Sequence, residues 1–175
     1  MTADVSRGVL RREQLRALLA PRSIAVVGAS PNQRPFAGRT LANLAGFQGT
    51  VYRVNPRYDT IDGERCWPDI AALPEAPDCV VIAVGREMVD AVIDDCVAAG
   101  VGAAILYASG YAETGKAERA AQQDRLARIA AQKGLRILGP NCIGIVNAAL
   151  GAVITFSATP RFEAPLPHAI GLVSQ

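Results

Sequence analysis

The chain has 175 residues, half of them hydrophobic and 19% charged, with 18 Lys+Arg against 16 Asp+Glu. That balance excludes disorder as a description of the whole, and a net charge of +2 excludes a basic nucleic-acid or membrane-surface binder. The four cysteines form no CxxC pair and there is a single histidine, so neither a disulfide framework nor a metal centre is expected. Arg11, Arg12, Glu13 and Arg16 interrupt the N-terminal stretch, so no secretory leader is expected, and no apolar run is long enough to span a bilayer. A cytoplasmic protein is the expectation.

In chain order, Leu10, Leu15, Leu18 and Leu19 predict a short helix that Pro21 stops. Ile24 to Gly28 is a continuous apolar run of the kind covered on both faces in a parallel sheet. A short helix follows over 37–45, with Leu41 and Leu44 inward, then a second strand at Val51–Val54 ended by Asn55-Pro56. Residues 59–77, broken by Pro68, Pro74 and Pro77, are read as irregular. Cys79 to Val84 is the third strand. Val89, Val92, Ile93, Cys96 and Val97 then recur at helical spacing up to a Gly100 cap. Ala103 to Tyr107 is the fourth strand, and a polar loop from Ser109 to Gly115 leads into a long helix ending near Gly134. Leu135 to Leu138 is the fifth.

Strands alternating with helices at this pitch indicate an α/β fold. The expectation is a Rossmann-like, doubly wound parallel sheet of five main strands ordered 3-2-1-4-5. Residues 141–147 are read as a loop. The first domain is expected to occupy 1–150, and 151–175 to be a linker and the first strand, Ala169 to Ser174, of a second domain carried by a longer chain.

Ligands of open parallel sheets bind outside the carboxyl ends of the strands, where the strand order reverses. That edge collects Gly28-Ala29-Ser30-Pro31, Asn55-Pro56-Arg57, Val84-Gly85-Arg86, Ser109-Gly110-Tyr111 with Glu113, and Gly139-Pro140-Asn141-Cys142. The first loop suits a phosphate at a helix N-terminus, but Ser30 and Gln33 stand where a dinucleotide fingerprint needs glycines. At the end of the second strand an NAD site normally has Asp or Glu; here Arg57 would pair with a phosphate instead. A nucleotide carrying an extra ribose phosphate fits, and an NADP-binding reductase stays open. The chain offers no Walker motif, paired-carboxylate or serine–histidine constellation; His168 reads as a linker residue, so no catalytic residue is assigned.

Several of these segments resemble one family. Pro21-Arg22-Ser23-Ile24-Ala25-Val26-Val27-Gly28-Ala29-Ser30, then Val54-Asn55-Pro56, Ser109-Gly110-Tyr111-Ala112-Glu113-Thr114-Gly115 and Gly139-Pro140-Asn141-Cys142-Ile143-Gly144 are similar to nucleoside-diphosphate-forming acyl-CoA synthetases, including the alpha subunit of succinyl-CoA synthetase. Gly171 to Gln175 resembles the start of the family's flavodoxin-like second domain. The resemblance implies a CoA-binding domain of an ADP-forming acid–thiol ligase such as acetate–CoA ligase. Gly28, Ala29, Ser30, Pro31, Asn55, Pro56 and Arg57 would hold the nucleotide. Val84, Gly85, Ser109, Gly110, Tyr111, Glu113, Pro140 and Asn141 would line the pantetheine path, with Cys142 near the thiol end. Many members have Pro where Gly85 stands. The implied partners are CoA or acyl-CoA and further ligase domains or an ATP-grasp subunit, which would carry the phosphohistidine chemistry. The family resemblance leaves a non-catalytic CoA-sensing module open as the second reading.

Overall fold

The computed structural model describes residues 10–32, 36–158 and 171–173. Its centre is a seven-stranded sheet built from β1 (Ser23–Val27), β2 (Thr50–Val54), β3 (Thr60–Ile61), β4 (Glu64–Trp67), β5 (Cys79–Ile82), β6 (Ala103–Leu106) and β7 (Arg136–Leu138). The order across the sheet is β3-β4-β2-β1-β5-β6-β7; every pairing is parallel except the small β3–β4 hairpin. The α/β doubly wound class is therefore observed.

The strand order needs correction. Cys79–Ile82 does not lie outside β2; it pairs with β1 on the other side, Ile24 opposite Cys79 and Val27 opposite Ile82. The place beside β2 is taken by β4, which lies within residues read as irregular, with Arg53 opposite Cys66 and Val54 opposite Trp67. Counting β4 as the third strand gives the order 3-2-1-4-5-6 over the six parallel strands, so the reversal of strand order falls between β1 and β5.

The central strands β1, β5 and β6 are buried along their whole length. Their side chains alternate between two cores, as the period of two requires. One face carries Ala25, Val27, Val80, Ile82, Ala104 and Leu106 and packs on α3 (Arg86–Ala99) and α4 (Ala117–Lys133), through Val89, Val92, Ile93, Cys96 and Leu126. The four α3 positions belong to the predicted apolar stripe, whose fifth member, Val97, is partly buried against the same core, and Gly100 ends that helix in the left-handed region at φ 76°.

The opposite face carries Ile24, Val26, Cys79, Val81, Ala103 and Ile105. It is covered by Ala17 and Leu18 of α1 (Arg16–Leu19), by Ala37 of α2 (Phe36–Asn43), and by a hairpin of β8 (Gly144–Asn147) and β9 (Ala152–Thr155). The hairpin corrects the reading of 141–147 as loop throughout. β9 is buried at all four residues, and Asn43 Nδ2 donates to Thr155 O at 2.7 Å and Ser157 O at 2.9 Å. The division expected near residue 150 falls inside this hairpin. Of the strand expected at 169–174, only 171–173 are described, and they are not in a strand; His168 lies outside the described residues. All four cysteines are free thiols, and no helix among the described residues is long and apolar enough to cross a membrane.

Candidate ligand-binding site

The carboxyl ends of β1, β2, β5, β6 and β7 bring the five expected loops to one edge of the sheet. The loops after β1 and β2 are latched together: Asn55 Nδ2 donates to Ala29 O at 2.7 Å, while the amides of Gly28 and Ala29 donate to Val54 O at 2.9 and 3.2 Å. Asn55 Oδ1 also accepts from the Arg57 amide at 3.0 Å, fixing the turn from which the exposed Arg57 leaves. Ser30 Oγ accepts from the Asn32 amide at 3.2 Å. Pro31 and Pro56 are exposed beside these turns.

Gly28 sits at the point where the strand order reverses. Its φ is +88°, and a Cβ there would stand 2.6 Å from Ala83 O and 3.0 Å from Val84 Cγ1. The loop after β1 and the loop after β5 touch because this residue has no side chain.

Beyond that contact a cavity of about 450 Å³ opens, lined by Phe36, Ala83, Val84, Gly85, Arg86, Tyr107, Ala108 and Ser109. Val84, Gly85 and Ser109 are therefore expected residues found together. Arg86 closes the loop expected after β5, whereas Phe36 and Tyr107 were not anticipated: Phe36 precedes the helix expected over 37–45, and Tyr107 reads as the last residue of a strand. Phe36 stacks on Phe156 at 4.1 Å between centroids, and Tyr107 meets Phe156 edge-on at 4.8 Å. A large apolar residue in an otherwise polar loop is the signal that could have found Phe36. The Tyr107 hydroxyl lies 3.1 Å from Thr40 Oγ1, which donates to Phe36 O at 2.9 Å. Burial pushes the Tyr107 hydroxyl pKa upward, so it stays protonated and fixed to α2.

Other expected residues serve the scaffold. The Tyr111 ring is only 2% exposed and packs in the core beside α3 and α4. Glu113 is not the cap of α4, whose N-cap position is Lys116. Its carboxylate accepts from the amides of Gly110 at 2.6 Å and Tyr111 at 3.0 Å, and the Gly110 bond in particular holds its pKa below the usual carboxylate value. Asn141 and Pro140 follow Gly139 through a cis peptide bond, and the Asn141 amide donates to Ala108 O at 2.9 Å. The half-buried Cys142 thiol points back toward Leu106 O and Leu138 O, at 3.5 and 3.6 Å, and burial pushes its pKa up. Neither fits an activated thiolate.

With this geometry in place, a family model described as the CoA binding domain matches residues 22–148. The chain belongs to that family. Relatives of this CoA-binding domain include a trans-feruloyl-CoA synthase from an unidentified prokaryote, 37% identical over 93% of this chain, and an acetate–CoA ligase (ADP-forming) from Archaeoglobus fulgidus, 34% identical over 92%. The solved acetyl-coenzyme A synthetase 1 of Ca. Korarchaeum cryptofilum, in complex with phosphate and ADP, superposes with a TM-score of 0.76 at 39% identity. That match covers 82% of this chain and 31% of the other. The CoA-binding domain spans 23% of the length of each of the two relatives.

Proposed function

We propose that this CoA-binding domain serves an ADP-forming acyl-CoA synthetase that activates a small carboxylic acid in the cytoplasm, with the phosphoryl chemistry carried by further domains or an ATP-grasp subunit. The supporting observation is the polarity gradient along the sheet edge. CoA is a highly charged nucleotide at one end and a neutral, flexible pantetheine arm at the other. The edge has the same division. The β1 and β2 loops present backbone turns, Ser30 and the exposed Arg57; the β5 and β6 ends present a cavity walled mainly by Phe36, Ala83, Val84, Tyr107 and Ala108, with Gly85, Ser109 and Arg86 completing it.

In this reading Gly28, Ala29, Ser30, Pro31, Asn55 and Pro56 cradle the nucleotide, and Arg57 meets its 3′-phosphate with a charge-assisted hydrogen bond. Val84, Gly85, Ser109 and Gly110 guide the arm toward the loop of Pro140, Asn141 and Cys142. CoA supplies the thiol that accepts the acyl group; the domain's own residues bind and orient it. Tyr111 and Glu113 hold the loop after β6 in shape from behind.

Calorimetric titration with CoA, dephospho-CoA, NADP and NAD tests this. CoA is expected to bind, and both dephospho-CoA and the Arg57→Ala variant to lose roughly tenfold in affinity, the worth of one charged hydrogen bond. Selective NADP binding would overturn the reading in favour of a reductase domain.

A further inference from the structure

Among the described residues, the cavity beside β5 and β6 has one cation on its wall, Arg86, and that cation is the first residue of α3. A positive charge at the positive end of a helix is the reverse of the stabilising arrangement. Its neighbour Arg119 makes the local charge greater still. Arg86 Nη1 donates to Gln122 Oε1 at 3.0 Å, and Arg119 Nη1 donates to the same oxygen at 3.3 Å. Two guanidinium groups thus share one neutral acceptor.

Among the described residues, the nearby carboxylates make no ion pair with either of them. Asp90 and Asp94 both pair with Arg125, each at 2.9 Å. Glu113 is held by the amides of Gly110 and Tyr111. Glu87 turns its carboxylate back over Gly85, and among the described residues neither Arg86 nor Arg119 forms an ion pair. Each guanidinium has five N–H donors, and among the described residues Gln122 takes one from each. Gly110, at φ +94°, leaves room for this: a Cβ there would come within 3.4 Å of Arg86 Cδ and 3.5 Å of its Nε.

We propose that Arg86 and Arg119, joined through Gln122, form an anion-binding lip on the α3 and α4 side of the cavity, which receives a carboxylate or phosphate group of the molecule bound there. This deepens the reading of the edge as a CoA site. The anion has two sources, a phosphate of CoA itself or a carboxylate at the far end of a dicarboxylic acyl group. Planar bidentate recognition of such groups is what arginine supplies and lysine does not.

The test is calorimetric titration of the full chain and of Arg86→Gln, Arg119→Gln and Arg125→Gln with CoA, acetyl-CoA and succinyl-CoA. Arg125 is a charge-matched control, being on the same helix as Arg119 but already paired with Asp90 and Asp94. An equal loss of about tenfold for all three ligands in the Arg86 and Arg119 variants assigns the lip to a CoA phosphate; a loss confined to succinyl-CoA assigns it to the acyl carboxylate. Normal affinities in both variants, or the same loss in Arg125→Gln, would overturn the lip while leaving the CoA reading intact. If the wild-type chain binds no CoA, that reading fails and the lip is judged alone by titrating inorganic phosphate into arginine-labelled protein. Saturable shifts of the Arg86 and Arg119 Nε–H resonances would support it, and their absence would overturn it.

Discussion

Gly28 is where backbone conformation and site geometry meet. Its φ of +88° strains any L side chain, and the clash with Ala83 O adds a steric demand that only movement of β5 relieves. Gly63 separates the two effects, because its φ is +79° and a Cβ there meets nothing within 4 Å. Urea denaturation should find Gly63→Ala destabilised by about 1 kcal/mol, the conformational cost alone. Gly28→Ala should lose clearly more, about 2–4 kcal/mol, and should bind CoA poorly even where it is folded. Equal losses at the two positions would mean that the approach of the β1 and β5 loops is not tight. The other site residues divide by what their polar atoms already do. Asn55 and Glu113 are spent on the loops themselves, and from sequence an organising carboxylate and a ligand-binding one look alike. Arg86 was legible as part of the loop after β5, but its link to Arg119 through Gln122 was not, since the two arginines lie on different helices.

At the level of elements, β1, β5 and β6 were legible because strands covered on both faces must be apolar throughout. β4 was not. Its sequence Glu64-Arg65-Cys66-Trp67 lies near an edge, with only Cys66 fully buried, and neither alternation nor an apolar run marks it. Missing it displaced the third strand by one place and changed the strand order. The β8–β9 hairpin was hidden differently, because a polar Asn147 and the small residues around it look like loop in sequence. Its role is to close one core: Ala152 and Ile154 bury with Ile24, Val26 and Ile105, and Thr155 Oγ1 donates to Ile143 O at 2.6 Å. A chain ending at Leu150 loses β9 and uncovers that face, whereas one ending at Ala158 keeps it. Truncating Ile154 alone to Ala should cost about 2–5 kcal/mol against a total stability on the order of 5–15. The shorter chain is therefore expected to lose its cooperative thermal transition and the longer one to retain it, as followed by circular dichroism. A cooperative transition in the shorter chain would support a domain boundary at 150.

The molecule as a whole places the proposed ligand edge across the joint between two halves of the sheet. The β2–β1 half presents the turns after β1 and β2, and the β5–β6–β7 half presents the cavity and the Gly139–Cys142 loop. A ligand laid along the edge contacts both halves, so opening either half releases it, and binding should stabilise the entire fold and not one loop. A ligand at one hundred times its dissociation constant contributes about 2.7 kcal/mol. For a chain of this size that corresponds to a rise in melting temperature of roughly 5–10 °C. Thermal denaturation followed by circular dichroism should show this rise with saturating CoA, as a single transition moved upward. Arg57→Ala should melt near the wild-type temperature without ligand, since the side chain is exposed and carries no ion pair among the described residues, yet gain less from the same CoA concentration. A CoA-induced splitting into two transitions would mean that the ligand holds one half only. It would then move the binding site off the β1–β5 joint and toward whichever half was stabilised.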